Sequence, residues 1–100
     1  MATIKNYTDK LQSRKLAEIL PLESADMYYC YGPCWSLAAL LKYLSEIKPQ
    51  VYIPLLFPSE GKWMLQFVEY GHGNVCEVSC NNHVDCCVQM IIRLNELNLL

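Results

Sequence analysis

The last twenty residues constrain the fold most, because their apolar side chains cover nearly the whole circumference of a helix. Polar side chains recur along one narrow line at helical spacing: Asn82, Asp85, Gln89, Arg93 and Glu96. Apolar side chains fill most of the remaining circumference: Val84, Cys86, Cys87, Val88, Met90, Ile91, Ile92, Leu94 and Leu97. Such a helix must be covered on several sides, so we expect it at the centre of a packed domain. Asn82, with Asp85 three residues later, is predicted to cap it.

Length and composition favour one autonomous domain. A chain of 100 residues buries roughly 65% of the surface that it exposes when unfolded, so its core needs neither a metal ion nor disulfides. Hydrophobic residues make up 53% and charged residues 18%. This composition excludes the disordered class and predicts apolar surface left over for a partner. We expect one domain over residues 1–100, with disorder in about the first seven residues.

Charge and hydropathy disfavour nucleic-acid and membrane partners. The formal net charge is −2, and the basic residues gather near the start, at Lys5, Lys10, Arg14 and Lys15, whereas nucleic-acid-binding proteins usually carry a basic excess. No run approaches the ~18 apolar residues of a membrane span, and the first residues lack the apolar stretch of a signal peptide. We therefore expect a cytoplasmic protein with no membrane partner. A nucleic-acid-associated role of the basic segment is a weaker alternative.

Two further helices are predicted in the N-terminal half. The first includes Leu16 and is capped by Thr8 or Ser13. A turn or two of helix is expected at 24–29. The second begins with Pro33 at the first helical position, buries a stripe of leucines and ends before the next proline.

Three strand-like segments follow, at 51–57, 62–70 and 75–80. Pro54 makes the first an edge strand, because proline cannot donate to a ladder, and the second is expected to be central. Together with the helices, these segments predict a single small α+β domain in the order α-α-β-β-β-α. Its sheet is a three-stranded antiparallel meander packed against helices, with a long C-terminal helix.

The helices are expected to cover one face of the sheet and to leave the other open. The covered face is predicted to carry Trp63, Leu65, Phe67, Cys76, Val78 and Cys80. The open face is predicted to carry Tyr52, Leu56, Met64, Gln66, Val68, Tyr70 and Val75, interrupted by Glu77 and Ser79. It is more apolar than a solvated face needs to be, so we expect a helix or a second chain to cover it.

The six cysteines are expected to be reduced thiols, mostly buried or half-buried, as in a reducing compartment. Two Cys-x3-Cys pairs and two histidines would supply zinc ligands on paper: Cys30, Cys34, His72, Cys76, Cys80 and His83. Strand residues four apart are separated by ~13 Å, however, and cannot share one ion. Zinc and a disulfide stay as alternatives, and no cofactor is expected.

Cys80 and His83 form the one candidate catalytic pair. They lie where the last strand meets the last helix, and a helix N-terminus activates a thiol or holds an anion. A nucleophilic cysteine also needs a base within hydrogen-bond reach, which sequence proximity does not establish. We therefore do not expect an enzyme. A small enzyme or ligand-binding protein that uses this pair is the alternative.

An aromatic cluster precedes the second helix: Tyr28, Tyr29, Tyr31 and Trp35. Tyrosine and tryptophan provide large, stiff contact areas with a polar tip, as recognition surfaces require. The competing interpretation is that this segment packs against the sheet.

Three segments, 15–29, 32–41 and 84–100, resemble a family of small proteins from phages, prophages and mobile elements of gut bacteria of the Bacteroides group. The resemblance touches about half of the chain, at both ends. It implies a mobile-element origin and a bacterial cytoplasm, and because the family has no assigned activity it transfers no functional residue.

The leading prediction is a non-enzymatic accessory or protein–protein interaction module that binds another protein or itself, as a homodimer. The predicted interaction surface consists of Tyr28, Tyr29, Tyr31, Trp35, Tyr52, Met64, Gln66, Val68 and Tyr70.

Overall fold

The computed structural model describes residues 6–100, which form three α-helices and two antiparallel sheets. The elements are α1 (Lys10–Ala17), a 3-10 turn (Leu22–Ser24), β1 (Met27–Tyr29), β2 (Gly32–Cys34), α2 (Leu37–Ser45), β3 (Tyr52–Ser59), β4 (Lys62–Glu69), β5 (Gly73–Cys80) and α3 (His83–Glu96). The predicted α+β fold, with the order α-α-β-β-β-α and a long C-terminal helix, is confirmed. β1 and β2 form an additional hairpin that the sequence pattern did not predict.

The larger sheet is the expected antiparallel meander, in the order β3-β4-β5. β4 is central and β3 lies at an edge, as Pro54 predicted. The connection between them is shorter than expected, because the strands continue to Ser59 and Lys62. Only Glu60 and Gly61 remain as the turn, and both have positive φ angles, 52° and 77°. This is the backbone conformation of the tightest hairpin turns.

The predicted placement of β3 side chains is wrong for two residues. Directly opposed residues of an antiparallel pair point to the same side of the sheet. Tyr52 pairs with Glu69, and Leu56 pairs with Leu65, so both β3 side chains lie on the helix-covered face. Tyr52 stacks on Phe67 there, with ring centroids 5.0 Å apart.

The starts of the first two helices also differ from prediction. Asp9, rather than Thr8 or Ser13, caps α1: its carboxylate accepts from the Gln12 N–H, and the Gln12 side chain accepts from the Asp9 N–H. α2 begins four residues after Pro33, capped by the Ser36 hydroxyl, which accepts from the Ala39 N–H at 3.1 Å.

The segment predicted to be a short helix at 24–29 instead enters the β1–β2 hairpin. Gly32 has a φ of 113°, which side chains other than hydrogen rarely allow. The chain reverses just before it, at Cys30 and Tyr31, because Tyr29 pairs with Gly32, and Pro33 lies in β2 opposite Tyr28.

α3 is the central helix of the core, as predicted. Its side chains at Val84, Cys86, Cys87, Val88, Met90, Ile91 and Leu94 are buried, and it packs against α2, β4 and β5. Asn82 caps it and accepts from the Asp85 N–H at 2.8 Å. Gln89, Arg93 and Glu96 form the exposed seam. The one departure is Leu97, which lies just after the helix and is half-exposed.

The N-terminal segment joins the fold before α1 begins. Tyr7 forms a β-bridge with Ser36, and Thr8 is buried, with its N–H donating to the Trp35 carbonyl at 3.0 Å. The disorder expected for about the first seven residues falls mainly on positions 1–5, which lie outside the described residues. Within the described chain, no helix is long and apolar enough to cross a membrane.

Candidate functional site

The principal candidate site is the face of the larger sheet opposite the helices, which we call the open face. α2 and α3 pack on the other side, where Leu56, Leu65, Phe67, Cys76 and Val78 join the core. The open face carries alternate residues of the three strands: Ile53, Leu55, Phe57, Ser59, Lys62, Met64, Gln66, Val68, Asn74, Glu77 and Ser79. None of these eleven side chains belongs to the hydrophobic core of the described residues.

One more residue pair extends the open face beyond the strand ends. The Tyr70 N–H donates to the Val51 carbonyl at 2.9 Å, which continues the β3–β4 register. Four large apolar side chains on this face remain exposed: Val51 by 38%, Leu55 by 40%, Phe57 by 36% and Tyr70 by 55%. Single exposed apolar residues are ordinary, whereas a contiguous group usually marks a contact surface.

The open face is divided into an apolar part and a polar part. Most of β3, together with Met64 and Val68 of β4, supplies the apolar side chains, whereas Lys62 at one end of β4 and the β5 side are polar. Glu77 lies exposed on β5, and its carboxylate accepts from the Gln66 amide at 2.7 Å and from the Asn74 amide at 3.5 Å. The Asn74–Val75 region contains a register shift against β4. A partner of this face would therefore contact mainly β3 and β4.

The structure brings four of the predicted surface residues together on the open face: Met64, Gln66, Val68 and Tyr70. Tyr52 lies on the opposite side. Sequence reasoning missed the β3 contribution, which consists of Val51, Ile53, Leu55 and Phe57. Their alternation with Tyr52, Pro54 and Leu56 was visible, but only the register with β4 shows which set faces out.

The predicted aromatic cluster is split by the β1–β2 hairpin. Tyr28 and Tyr29 are more than half exposed, and Tyr29 stacks on Tyr31 with ring centroids 5.7 Å apart. Trp35 is fully buried, and its indole N–H donates to the Ser24 hydroxyl at 2.9 Å. Its inclusion in the predicted surface is therefore wrong. The tryptophan anchors the hairpin to the core and leaves the tyrosines at the surface.

The residues of the candidate Cys80–His83 pair have other neighbours. Cys80 lies opposite Trp63 in the β4–β5 register, and the Cys86 thiol donates to the Trp63 carbonyl at 3.1 Å. The His83 ring lies against Trp63, with centroids 5.3 Å apart. Its Nδ1 is buried and has no hydrogen-bond partner within residues 6–100. No hydrogen bond between Cys80 and His83 is found in the described chain.

Burial makes these thiols weak nucleophiles. It raises the pKa of Cys80, and burial together with the neighbouring Cys80 raises the pKa of Cys86 to about 12. Only the thiolate attacks an electrophile. The arrangement therefore does not favour cysteine-based catalysis at neutral pH.

The zinc ligands considered from the sequence do not converge. All six cysteines are free thiols, and Cys30 is exposed on the hairpin while the others are buried or half-buried. Among residues 6–100, no three histidine, cysteine or acidic side chains are grouped so that they could hold a metal ion.

A groove of about 780 Å³ lies between α2, residues 21–26 and the C-terminal residues. Lys42 and Lys48 line it together with Glu23, Asp26 and Glu46. The Asp26 carboxylate already accepts hydrogen bonds from the Ser36 N–H and from the Ser36 hydroxyl. Because charges of both signs are mixed along the groove, they indicate no particular class of ligand.

No protein-family model matches the chain, and neither the curated proteins nor the solved structures contain a match to it. The resemblance to phage and mobile-element proteins therefore stays a prediction, and the function has to be argued from the geometry alone.

Proposed function

We propose that this chain is a non-enzymatic protein–protein interaction module, that its contact surface is the open face, and that the partner is a second copy of the chain. The observation that carries the proposal is the exposure of Val51, Leu55, Phe57 and Tyr70 on one side of the sheet. Water contact of this group is unfavourable by about 25 cal/mol for each Å² of apolar surface. A partner that covers the group removes that cost.

The size of the open face supports a small but specific interface. The eight β3–β4 pairs and the added pair Val51–Tyr70 extend over about 30 Å at ~3.3 Å per residue, and three strands are about 14 Å wide. The face therefore has a flat area of roughly 400 Å², to which side-chain relief adds. Two such faces cover roughly 800 Å² before that relief is added, which is the size of weak, transient interfaces. We expect a weak dimer, with a dissociation constant in the micromolar range.

The division of the face favours one arrangement of the two copies. Dimers are usually related by a twofold axis. A twofold axis that runs parallel to the plane of the sheet and perpendicular to its strands places β3 and β4 over the same strands of the second copy. This arrangement keeps Glu77 at the rim of the interface. An axis parallel to the strands would instead place Leu55 near the second copy's β5, where Glu77 lies. Because charged groups are depleted from interface centres, we propose the perpendicular axis.

Sedimentation equilibrium of matched variants tests this proposal. We expect the average mass of the wild-type protein to rise with concentration across the micromolar range. Leu55→Lys and Phe57→Lys should each give a monomer, because a charge within the contact surface would have to be buried. The controls Leu11→Lys and Leu22→Lys change apolar residues that lie outside the face and are more exposed than Leu55 and Phe57, and they should dimerise like the wild type.

Two results would overturn the proposal. A wild-type monomer at hundreds of micromolar would exclude the second copy as partner. A dimer that persists in both open-face variants, with melting temperatures showing that they are folded, would exclude the open face as the contact surface.

A further inference from the structure

Cys80 and Cys86 are brought together where β5 ends and α3 begins. Cys80 is the last residue of β5 and lies opposite Trp63 of β4. Cys86, in the first turns of α3, reaches the same point, since its Sγ lies 3.1 Å from the Trp63 carbonyl oxygen. Each thiol also perturbs the pKa of the other. Both cysteines therefore lie beside Trp63 as neighbours, which is the arrangement that disulfide formation requires.

We propose that Cys80 and Cys86 are a redox modification site, at which a peroxide converts the two thiols into an intramolecular disulfide. The inference is independent of the proposed dimer, because both residues lie on the helix-covered side of the sheet.

The difference in exposure assigns the order of steps. Cys80 is half-buried and Cys86 is fully buried, so the peroxide meets Cys80 first. The Cys80 sulfur attacks the peroxide, its O–O bond breaks, and Cys80 becomes a sulfenic acid while an alcohol, or water from hydrogen peroxide, is released. The Cys86 sulfur then attacks that sulfur, the S–O bond breaks and water leaves. Overall, two thiols are oxidised by two electrons and one peroxide is reduced.

Proximity, rather than acidity, selects this pair. Both thiols have raised pKa values because of burial, so the first step is slow compared with that of a dedicated peroxidatic cysteine. Once the sulfenic acid has formed, Cys86 is the neighbouring thiol, because it lies beside Trp63 as Cys80 does. Cys30 is the exposed thiol, and it lies on the separate β1–β2 hairpin, where we expect oxidation to link two molecules.

Peptide mapping of the full-length protein tests the proposal. A Cys30→Ser background removes intermolecular disulfides, and the reduced protein is treated with hydrogen peroxide before free thiols are alkylated under denaturing conditions. Cleavage after Lys62 and Arg93, and before Asp85, separates Cys80 from Cys86. We expect residues 63–84 and 85–93 to be joined by a disulfide. Further cleavage after Glu77 excludes Cys76, and a Cys87→Ala variant that keeps the link excludes Cys87.

Single substitutions complete the test. Cys80→Ser and Cys86→Ala should each abolish the linked peptide, whereas Cys34→Ala, at a buried thiol elsewhere, should retain it. In Cys86→Ala, a sulfenic-acid trap such as dimedone should label Cys80. The proposal is overturned if wild-type Cys80 and Cys86 remain separately alkylated, if Cys80 proceeds to sulfinic acid without a link, or if the disulfide joins another pair. These wild-type outcomes decide the question even if Cys86→Ala does not fold.

Discussion

Gln12 and Asp85 join the N-termini of two helices: the Gln12 Nε2 donates to the Asp85 Oδ1 at 2.7 Å, across 73 positions of sequence. Each residue is also part of a cap. Gln12 exchanges hydrogen bonds with Asp9 at the start of α1, and Asp85 exchanges them with Asn82 at the start of α3. One contact therefore couples two local motifs and sets where α1 lies against the central helix.

Gln12→Glu is predicted to destabilise the protein at neutral pH. The substitution replaces a donor with a second carboxylate next to Asp85, so attraction becomes like-charge repulsion. We expect the free energy of unfolding, measured by urea titration, to fall by about 1–2 kcal/mol at pH 7. The loss should shrink near pH 4, where one carboxyl of the pair takes up a proton. Gln50→Glu, in an exposed turn, is the control, and an equal effect of both variants would contradict the prediction.

The Trp35–Ser24 hydrogen bond is predicted to contribute measurably to stability. Ser24→Ala leaves the buried indole N–H without its acceptor, which costs about 1–3 kcal/mol. In a Trp35→Phe background no such donor remains, so the same serine substitution should cost clearly less. A double-mutant cycle followed by urea unfolding measures the coupling. Ser45→Ala, which removes an exposed hydroxyl bonded to the Lys42 carbonyl, should have little effect, and zero coupling would rule out the predicted role.

Glu60→Asn is predicted to stabilise the β3–β4 hairpin. Glu60 adopts a φ of 52°, a left-handed conformation that costs most side chains energy but that asparagine tolerates. Followed by Gly61, the substitution creates an Asn-Gly turn, and we expect the free energy of unfolding to rise by about 0.5–1 kcal/mol. Glu60→Ala removes the same carboxylate without this backbone preference and should bring no such gain. A similar increase in both variants would point to charge instead of backbone strain.

Stability is predicted to fall at alkaline pH because of two buried thiols. Burial, followed by neighbouring thiols, raises the pKa of Cys86 and of Cys87 from the ordinary 9.0 to about 12. Well below pH 9 both thiols are protonated in the folded and the unfolded protein, so they contribute their full amount to the free energy of unfolding. Between pH 9 and 12 the unfolded chain loses these protons first, and stability falls by up to about 1.4 kcal/mol per pH unit for each thiol.

Urea titrations across this pH range compare the slopes of matched variants. Cys87→Ala should reduce the alkaline slope, because one of the two buried thiols no longer titrates. Cys30→Ala removes an exposed thiol and should leave the slope unchanged. An unchanged slope in Cys87→Ala would show that other groups cause the alkaline loss.

The order of helices and larger-sheet strands could be predicted from local sequence patterns, whereas the residues of the candidate site could be predicted only in part. The cap at Asn82, the narrow polar seam of α3 and the central position of β4 depend on residues close together in sequence, and each was confirmed. Trp35 shows the limit of such reasoning. A tryptophan beside three tyrosines has the same local sequence pattern whether it lies on a surface or in a core. The buried position of Trp35 goes with hydrogen bonds to Thr8 and Ser24, which form only in the folded chain.

By itself, the sequence determined the helices, the strands of the larger sheet and their order, because helical and strand periodicities and capping residues act over a few positions. It did not determine the β1–β2 hairpin, where a short helix was expected. The tertiary structure alone decided which alternate residues of β3 face outward, since that depends on the register set by the turn at Glu60 and Gly61. It also brought Cys80 to Cys86 and Gln12 to Asp85. Contacts of this kind arise from the packing of complete elements against each other, which no local pattern encodes.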